Sequence, residues 1–165
     1  MTESPQYLEQ FERVKRFYHR LEEINNGRVH DRSSDYYDDE FLSFFMNCYH
    51  LKDWIKNDDS VPQDIRNKVE PFINEHQCFH YCADIANGAK HLKLNHHRRI
   101  NEDIKKGPRS FVVQLFEGLG MKPPIIQEKY SFLIGDQKVD GFTLATECLK
   151  KWEEFIQKEG LLIRM

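Results

Sequence analysis

The longest run of apolar residues at helical spacing in this chain covers residues 36–57, YYDDEFLSFFMNCYHLKDWIKN. Large apolar side chains recur in it every three or four residues, the spacing that places side chains on one face of an α-helix. These apolar residues are Phe41, Phe44, Phe45, Cys48, Leu51 and Ile55. Asp38, Asp39 and Glu40 stand near its start, where the helix dipole favours acidic side chains. The stretch therefore predicts one long, amphipathic helix.

Four further stretches carry apolar residues at helical spacing. They cover residues 5–24, 62–74, 77–93 and 142–158. Pro71 predicts a kink or an early end in the second of them, because proline interrupts helical hydrogen bonding. Gly88 costs the third about 1 kcal/mol of helix propensity relative to alanine. We expect Gly88 to lie where the backbone of another element comes close.

Two later stretches are typical of β-strands rather than helices. Residues 110–116 are β-branched and aromatic, and residues 128–134 alternate between apolar and polar side chains. Residues 27–35 and 95–109 are polar and are predicted to be connections. The length of 165 residues suits one domain. The sequence predicts a mainly helical α+β domain, a helical bundle with a small antiparallel sheet or hairpin and a C-terminal helix.

Charge and hydropathy limit the classes of protein to consider. No window approaches the roughly 18 apolar residues of a membrane span, and the first twenty residues lack the apolar core of a secretory signal. We expect a cytoplasmic protein with no membrane partner. Acidic side chains outnumber basic ones by seven in residues 1–89, whereas basic side chains outnumber acidic ones by five in residues 90–109. That basic segment is either a phosphate-binding region or a solvated loop.

The four cysteines do not form a recognisable framework. Cys48, Cys78, Cys82 and Cys148 lack the regular spacing of a disulfide scaffold, and we expect them to be small buried hydrophobic side chains. The alternation of His76, Cys78, His80 and Cys82 is one pattern that could indicate a zinc site. In a helix the two histidines share one face and the two cysteines another, so the four cannot converge. The sequence predicts no metal site.

Polar residues also follow helical spacing on two of the predicted helices. His50, Asp53 and Asn57 lie on one face of the helix over 36–57. On the helix over 77–93, the corresponding face carries Asp84, Asn87 and His91. A histidine beside a carboxylate can act as a general acid or base. The alternative is that these residues form a solvated face or a buried polar network that sets helix register.

If the two helices pack against each other, both polar sets could share one pocket. We expect this contact to involve Cys48, Leu51, Cys82, Ile85 and Ala89. Lys52 and Lys90, which flank the polar residues, could hold a phosphate group.

Two segments resemble a known superfamily. FMNCYHLKDWIKND (45–58) and CADIANGAKHL (82–92) are similar to a group of bacterial and phage proteins that resembles the HEPN superfamily. This resemblance implies a compact helical domain, usually a homodimer, that cleaves RNA without a metal or another cofactor. The HEPN signature is an arginine, a polar residue, three further residues and a histidine. Here Asn87 and His91 match the signature, and Ala86 stands in the arginine position.

The resemblance assigns roles to residues of the second segment. It implies His91 as general base or acid, Asn87 as the residue that orients it or contacts phosphate, and Lys90 as a phosphate ligand. The remaining binding residues that we predict are His50, Lys52, Asp53, Asn57, Asp84, Arg98 and Arg99.

Two functions remain open on these grounds. The first is action on RNA, as a metal-independent endoribonuclease in phage defence or a toxin system. The alternative is a noncatalytic HEPN-like interaction or nucleotide-binding module. Ala86 favours the second, because it cannot bind a phosphate, and so does the acidic first half of the chain, which repels nucleic acid.

Overall fold

Helices make up most of the structure, a computed structural model that describes residues 4–90, 104–114 and 124–161. The helices are α1 (Gln6–Asn26), α2 (Ser34–Asn57), α3 (Gln63–Arg66), α4 (Val69–Glu75), α5 (Gln77–Lys90) and α6 (Gly141–Lys158). The prediction of a mainly helical α+β fold is confirmed. The last three residues of the helix predicted over 77–93 lie outside the described residues. No helix in these ranges is long and apolar enough to cross a membrane.

Helix α2 lies at the centre of the core. The six apolar residues that predicted it are fully buried. Helix α1 runs antiparallel to it, as two contacts show: Gln10 donates to the carbonyl oxygen of Asn47 at 2.9 Å, and Arg20 reaches Glu40 at 3.4 Å. Helices α5 and α6 also pack against α2.

The predicted packing of α2 against α5 is confirmed. The thiol of Cys82 donates a hydrogen bond to the carbonyl oxygen of Phe45 at 3.4 Å. Cys48, Leu51 and Ile85 are buried as expected. The side chain of Ala89 lies outside what the structure describes.

The helix predicted over 62–74 is instead two short helices, α3 and α4. Pro71 explains the interruption, because its nitrogen cannot donate a hydrogen bond to a carbonyl group one turn earlier. In the structure α4 begins at Val69, so Pro71 falls in its first turn. Backbone nitrogens in a first turn need no partner within the helix.

The strands form two separate antiparallel sheets. They are β1 (Arg28–Val29), β2 (Ile104–Lys106), β3 (Ser110–Gln114), β4 (Ile125–Lys129), β5 (Ser131–Ile134) and β6 (Gln137–Asp140). The strand orders are β1-β4-β3 and β2-β5-β6. Strands β1 and β2 lie in the stretches predicted to be connections, 27–35 and 95–109. The predicted strand over 110–116 is described only as far as Gln114.

The strand predicted over 128–134 is two strands, because the chain passes from one sheet to the other at Tyr130. The carbonyl oxygen of Tyr130 accepts from the backbone N–H of Gly141 at 2.7 Å, and the next carbonyl, of Ser131, accepts from Gly107 at 2.8 Å. The Tyr130 ring stacks on Phe41 of α2, with ring centroids 4.4 Å apart. This stacking fixes both sheets against the central helix.

Gly88 does not have the role that its position in the sequence predicts. It is exposed, and no described atom lies within 4 Å of the place where a Cβ would be. The expectation of a close backbone neighbour is therefore wrong for the part of the chain that the structure describes. Gly141 has such neighbours instead: a Cβ there would lie 3.0 Å from both a Phe41 ring carbon and the carbonyl oxygen of Tyr130.

Candidate functional site

Two of the three polar residues predicted on α2 line a cavity beside α1. Asp53 and Asn57 are exposed and line a shallow cavity of about 260 Å³ together with Gln6 and Trp54. The side-chain amide of Asn57 donates to the carbonyl oxygen of Asp53 at 2.8 Å, a contact within one helical turn. Among the residues that the structure describes, those that line this cavity belong to α1 and α2. His50 is half-buried on α2.

Lys52 is engaged in a contact between helices. Its ammonium group donates to Glu70 Oε1 of α4 at 3.1 Å, and Lys56 donates to the same oxygen at 2.9 Å. Burial alone would lower the pKa of Lys52, but hydrogen bonds with Tyr49 and Glu70 raise it above its usual value. Lys52 thus stabilises the packing of α4 on α2, and it would have to leave Glu70 to bind a phosphate.

The polar residues of α5 lie deeper than those of α2. Asp84 is buried and Asn87 is half-buried. Ala86, in the position of the HEPN arginine, is also buried. The structure describes Lys90 as the last residue of α5 without placing its side chain, and His91, Arg98 and Arg99 lie outside the described residues. Their convergence with His50 and Asp53 stays a prediction.

A different cavity, of about 250 Å³, lies between the start of α2 and the β1-β4-β3 sheet. We call it the sheet cleft. It is lined by His30, Ser34, Tyr37, Arg109, Phe111, Val113, Ile126 and Glu128. Four of the lining residues come from strands β3 and β4, and the sheet register places them together. Phe111 pairs with Glu128, and Val113 pairs with Ile126. Cross-strand partners and residues two apart on a strand lie on the same face of a sheet.

Polar groups converge at one side of the sheet cleft. His30 Nδ1 and the Tyr37 hydroxyl are 3.2 Å apart, which is a hydrogen bond. Arg109 lies 3.6 Å from Glu128 Oε1 and also forms an ion pair with Asp38. The sheet cleft therefore offers a histidine, a hydroxyl, a guanidinium and a carboxyl group.

Burial perturbs two of these groups. It raises the pKa of Glu128, although the nearby charges of Arg109 and His30 oppose the shift. It also raises the pKa of Tyr37, an effect that the charge of Arg28 opposes. Perturbed titratable groups in a cavity are more common at functional sites than elsewhere. The sheet cleft is thus the strongest candidate site among the described residues.

The rim of the sheet cleft exposes apolar side chains. Phe111 is 65% exposed and Val112 is 64% exposed, on a strand that forms one edge of its sheet. Phe111 points to the cleft, whereas Val112 alternates to the opposite face. Large exposed apolar side chains beside a polar cavity are typical of a surface that binds a ligand.

The sheet cleft is not predicted by any pattern in the sequence. His30 and Arg109 fall in stretches that were predicted to be polar connections, and Glu128 appeared only as the start of a strand. Strand alternation could have placed Phe111 and Val113 on one face, but it could not identify their partners on β4.

The cysteines form a second unexpected arrangement. The sulfur atoms of Cys48, Cys82 and Cys148 all lie within 4.8 Å of one another, and the three side chains are fully buried. Burial by itself would raise the pKa of Cys48, but hydrogen bonds with Cys148, Cys82 and Trp152 lower it to about 5. Burial raises the pKa of both Cys82 and Cys148 well above the usual value. The structure therefore brings three buried cysteine side chains together, one each from α2, α5 and α6.

Comparison with family models, with curated proteins and with solved structures finds no match to this chain. Its function is therefore inferred from the geometry of its own residues.

Proposed function

We propose that the protein is a noncatalytic HEPN-like module that binds single-stranded RNA, and that the sheet cleft receives one unstacked base. The observation that supports this most directly is the combination of an exposed aromatic ring, Phe111, with Arg109 and Glu128 in one small cavity.

The chemistry of the sheet cleft suits a nucleobase. A base has flat apolar faces and an edge of hydrogen-bond donors and acceptors, and RNA-binding proteins commonly hold it by aromatic stacking and contacts to that edge. Phe111 can stack on the face of the base, with Val113 and Ile126 completing the apolar wall. Arg109 can donate hydrogen bonds to the edge, and the Glu128 carboxylate can accept them.

One observation favours binding without cleavage. Ala86 is buried at the position where the HEPN signature carries its phosphate-binding arginine, so that contact to RNA is missing. The chain also has a net charge of −3, which disfavours extensive phosphate contacts. We therefore expect the affinity for RNA to fall only gently as salt concentration rises, because few counterions are released on binding.

A second candidate function is favoured by the acid and base groups of the sheet cleft. His30 and Glu128, with Arg109 beside them, could cleave RNA without a metal. One group would remove the proton from a 2′-hydroxyl, whose oxygen attacks the adjacent phosphorus, and the other would protonate the departing 5′-oxygen. The products would be a 2′,3′-cyclic phosphate and a free 5′-hydroxyl.

Fluorescence anisotropy with labelled single-stranded RNA tests the binding proposal. We expect Phe111→Ala to weaken binding about tenfold or more, since stacking on an aromatic side chain contributes about 1–3 kcal/mol per base. Val112→Ala is the matched control, because Val112 is equally exposed on the same strand but faces away from the cleft. Equal losses in the two variants, or folded wild-type protein that binds no RNA, would contradict the proposal.

Gel analysis of the same RNA in EDTA separates the two functions. A noncatalytic module leaves the RNA intact. Cleavage by wild-type protein that Glu128→Gln and His30→Ala abolish would establish the second function instead. Light scattering of the same sample tests the homodimer that the HEPN resemblance implies, which stays a prediction.

A further inference from the structure

The cluster formed by Cys48, Cys82 and Cys148 lies among α2, α5 and α6. We propose that these three cysteines form a binding site for a thiophilic metal ion, Zn²⁺ or Cu⁺. The proposal is independent of RNA binding, because none of the three residues lines the sheet cleft.

The distances between the sulfur atoms fit such an ion. Sulfur ligands lie about 2.3 Å from Zn²⁺, so three sulfurs around one ion in a plane are about 4.0 Å apart. The three sulfur atoms here are already within 4.8 Å of one another. Moving each of them inward by about 0.5 Å or less would complete the site, a shift that small rotations of the side chains can supply.

The composition of the cluster selects the type of metal. Thiolates are soft ligands that favour Zn²⁺ and Cu⁺ over Mg²⁺ or Ca²⁺. The group that the structure brings together consists of cysteines alone. Each cysteine that coordinates the ion would release its thiol proton to solvent, so metal binding is coupled to proton release.

Cys78 is the best placed fourth ligand. It lies one turn before Cys82 on α5 and is buried. Its carbonyl oxygen accepts a hydrogen bond from the Cys148 thiol at 3.5 Å, which brings this part of α5 against the cluster. Four cysteines would give the tetrahedral site that Zn²⁺ prefers, whereas three would suit Cu⁺.

The position of the cluster indicates a structural role for the ion. One cysteine comes from each of three helices, so the ion would cross-link them at the centre of the core. The indole N–H of Trp152 donates to the carbonyl oxygen of Cys48 at 3.0 Å and fixes α6 beside the cluster. Because the sulfur atoms are fully buried, we expect the ion to enter during folding.

The test is to refold the whole chain of 165 residues with a metal probe. The reduced protein is unfolded, freed of metal with a chelator, and refolded with Zn²⁺, Cu⁺, Co²⁺ or no metal. We expect one bound ion per chain, a thiolate-to-cobalt charge-transfer band with Co²⁺, and a higher unfolding temperature with Zn²⁺ or Cu⁺ than without metal. Absence of both the band and the stabilisation in folded protein would overturn the proposal.

Alanine variants then identify the ligands. We expect Cys48→Ala, Cys82→Ala and Cys148→Ala each to lose the charge-transfer band. If Cys78 is the fourth ligand, Cys78→Ala loses the tetrahedral cobalt spectrum but keeps Cu⁺. A triple alanine variant of the cluster that binds the metal as tightly as wild type would refute the assignment.

A measurement on wild-type protein keeps the proposal testable if the core variants do not fold. X-ray absorption of the refolded zinc protein should show a shell of three or four sulfur atoms at about 2.3 Å. A shell dominated by nitrogen or oxygen would place the ion elsewhere and overturn the proposal.

Discussion

Asp58 Oδ2 accepts a hydrogen bond from the backbone N–H of Tyr7 at 2.9 Å, although the two residues are 51 positions apart in the chain. Tyr7 lies in the first turn of α1, where backbone N–H groups have no partner within the helix. The other carboxylate oxygen of Asp58 accepts from the backbone and hydroxyl groups of Ser60, at 2.9 and 2.7 Å. One buried carboxylate therefore joins the start of α1 to the turn after α2.

Removing this carboxylate should destabilise the protein. We expect Asp58→Ala to lower the free energy of unfolding by about 1–3 kcal/mol, because it leaves buried N–H groups without an acceptor. Chemical denaturation measures the change. Asp59→Ala is the control, since the Asp59 side chain is fully exposed and its contact with Arg66 spans 3.3 Å at the surface. If both variants lose the same free energy of unfolding, the hydrogen bonds of Asp58 do not stabilise the protein.

The same carboxylate should make stability depend on acid pH. Burial alone would raise the pKa of Asp58, but hydrogen bonds from Ser60 and Tyr7 lower it. The folded pKa thus lies below the unfolded value of about 3.9, so the stabilisation is present above pH 4 and is lost as the pH falls through the folded pKa. Denaturation at several pH values should show the advantage of wild type over Asp58→Asn shrinking below pH 4. An advantage that stays constant down to the lowest pH measured would contradict this.

Glu128 should show the opposite dependence. Burial raises its folded pKa above the unfolded value of about 4.3, so its contribution to stability is present below pH 4 and is lost as the pH rises through the folded pKa. We expect Glu128→Gln, which does not titrate, to gain stability relative to wild type between pH 4 and pH 7. Chemical denaturation of both proteins at several pH values in this range measures the difference in their free energies of unfolding. If the variant instead becomes less stable than wild type as the pH rises, the attraction of the Glu128 carboxylate to Arg109 outweighs the cost of burying its charge.

Two glycines in helices should respond in opposite ways to alanine. Gly88→Ala should stabilise the protein by about 0.5–1 kcal/mol, because alanine has the higher helix propensity and the added methyl group meets no described atom. Gly141→Ala should destabilise it by about 1–3 kcal/mol, because the methyl group would press on Phe41 and on the backbone at Tyr130. Thermal unfolding of both variants tests the pair. A destabilised Gly88→Ala protein would show that the space beside Gly88 is occupied.

The main helices of the protein are predictable from the sequence alone. Apolar spacing over a few turns depends only on residues close together in the chain, so it located α1, α2, α5 and α6. It also identified the face of α2 that is buried, from Phe41 to Ile55. Even the division between α3 and α4 had a local signal in Pro71.

The positions of the candidate sites depend on tertiary packing. Strand pairing and helix packing join residues that are far apart in sequence, and local periodicity carries no information about partners. His30 and Glu128 meet in the sheet cleft because β4 pairs with both β1 and β3, a register that alternation does not specify. In the same way, Cys48, Cys82 and Cys148 converge only because three helices pack together, and each of them alone is consistent with an ordinary core residue.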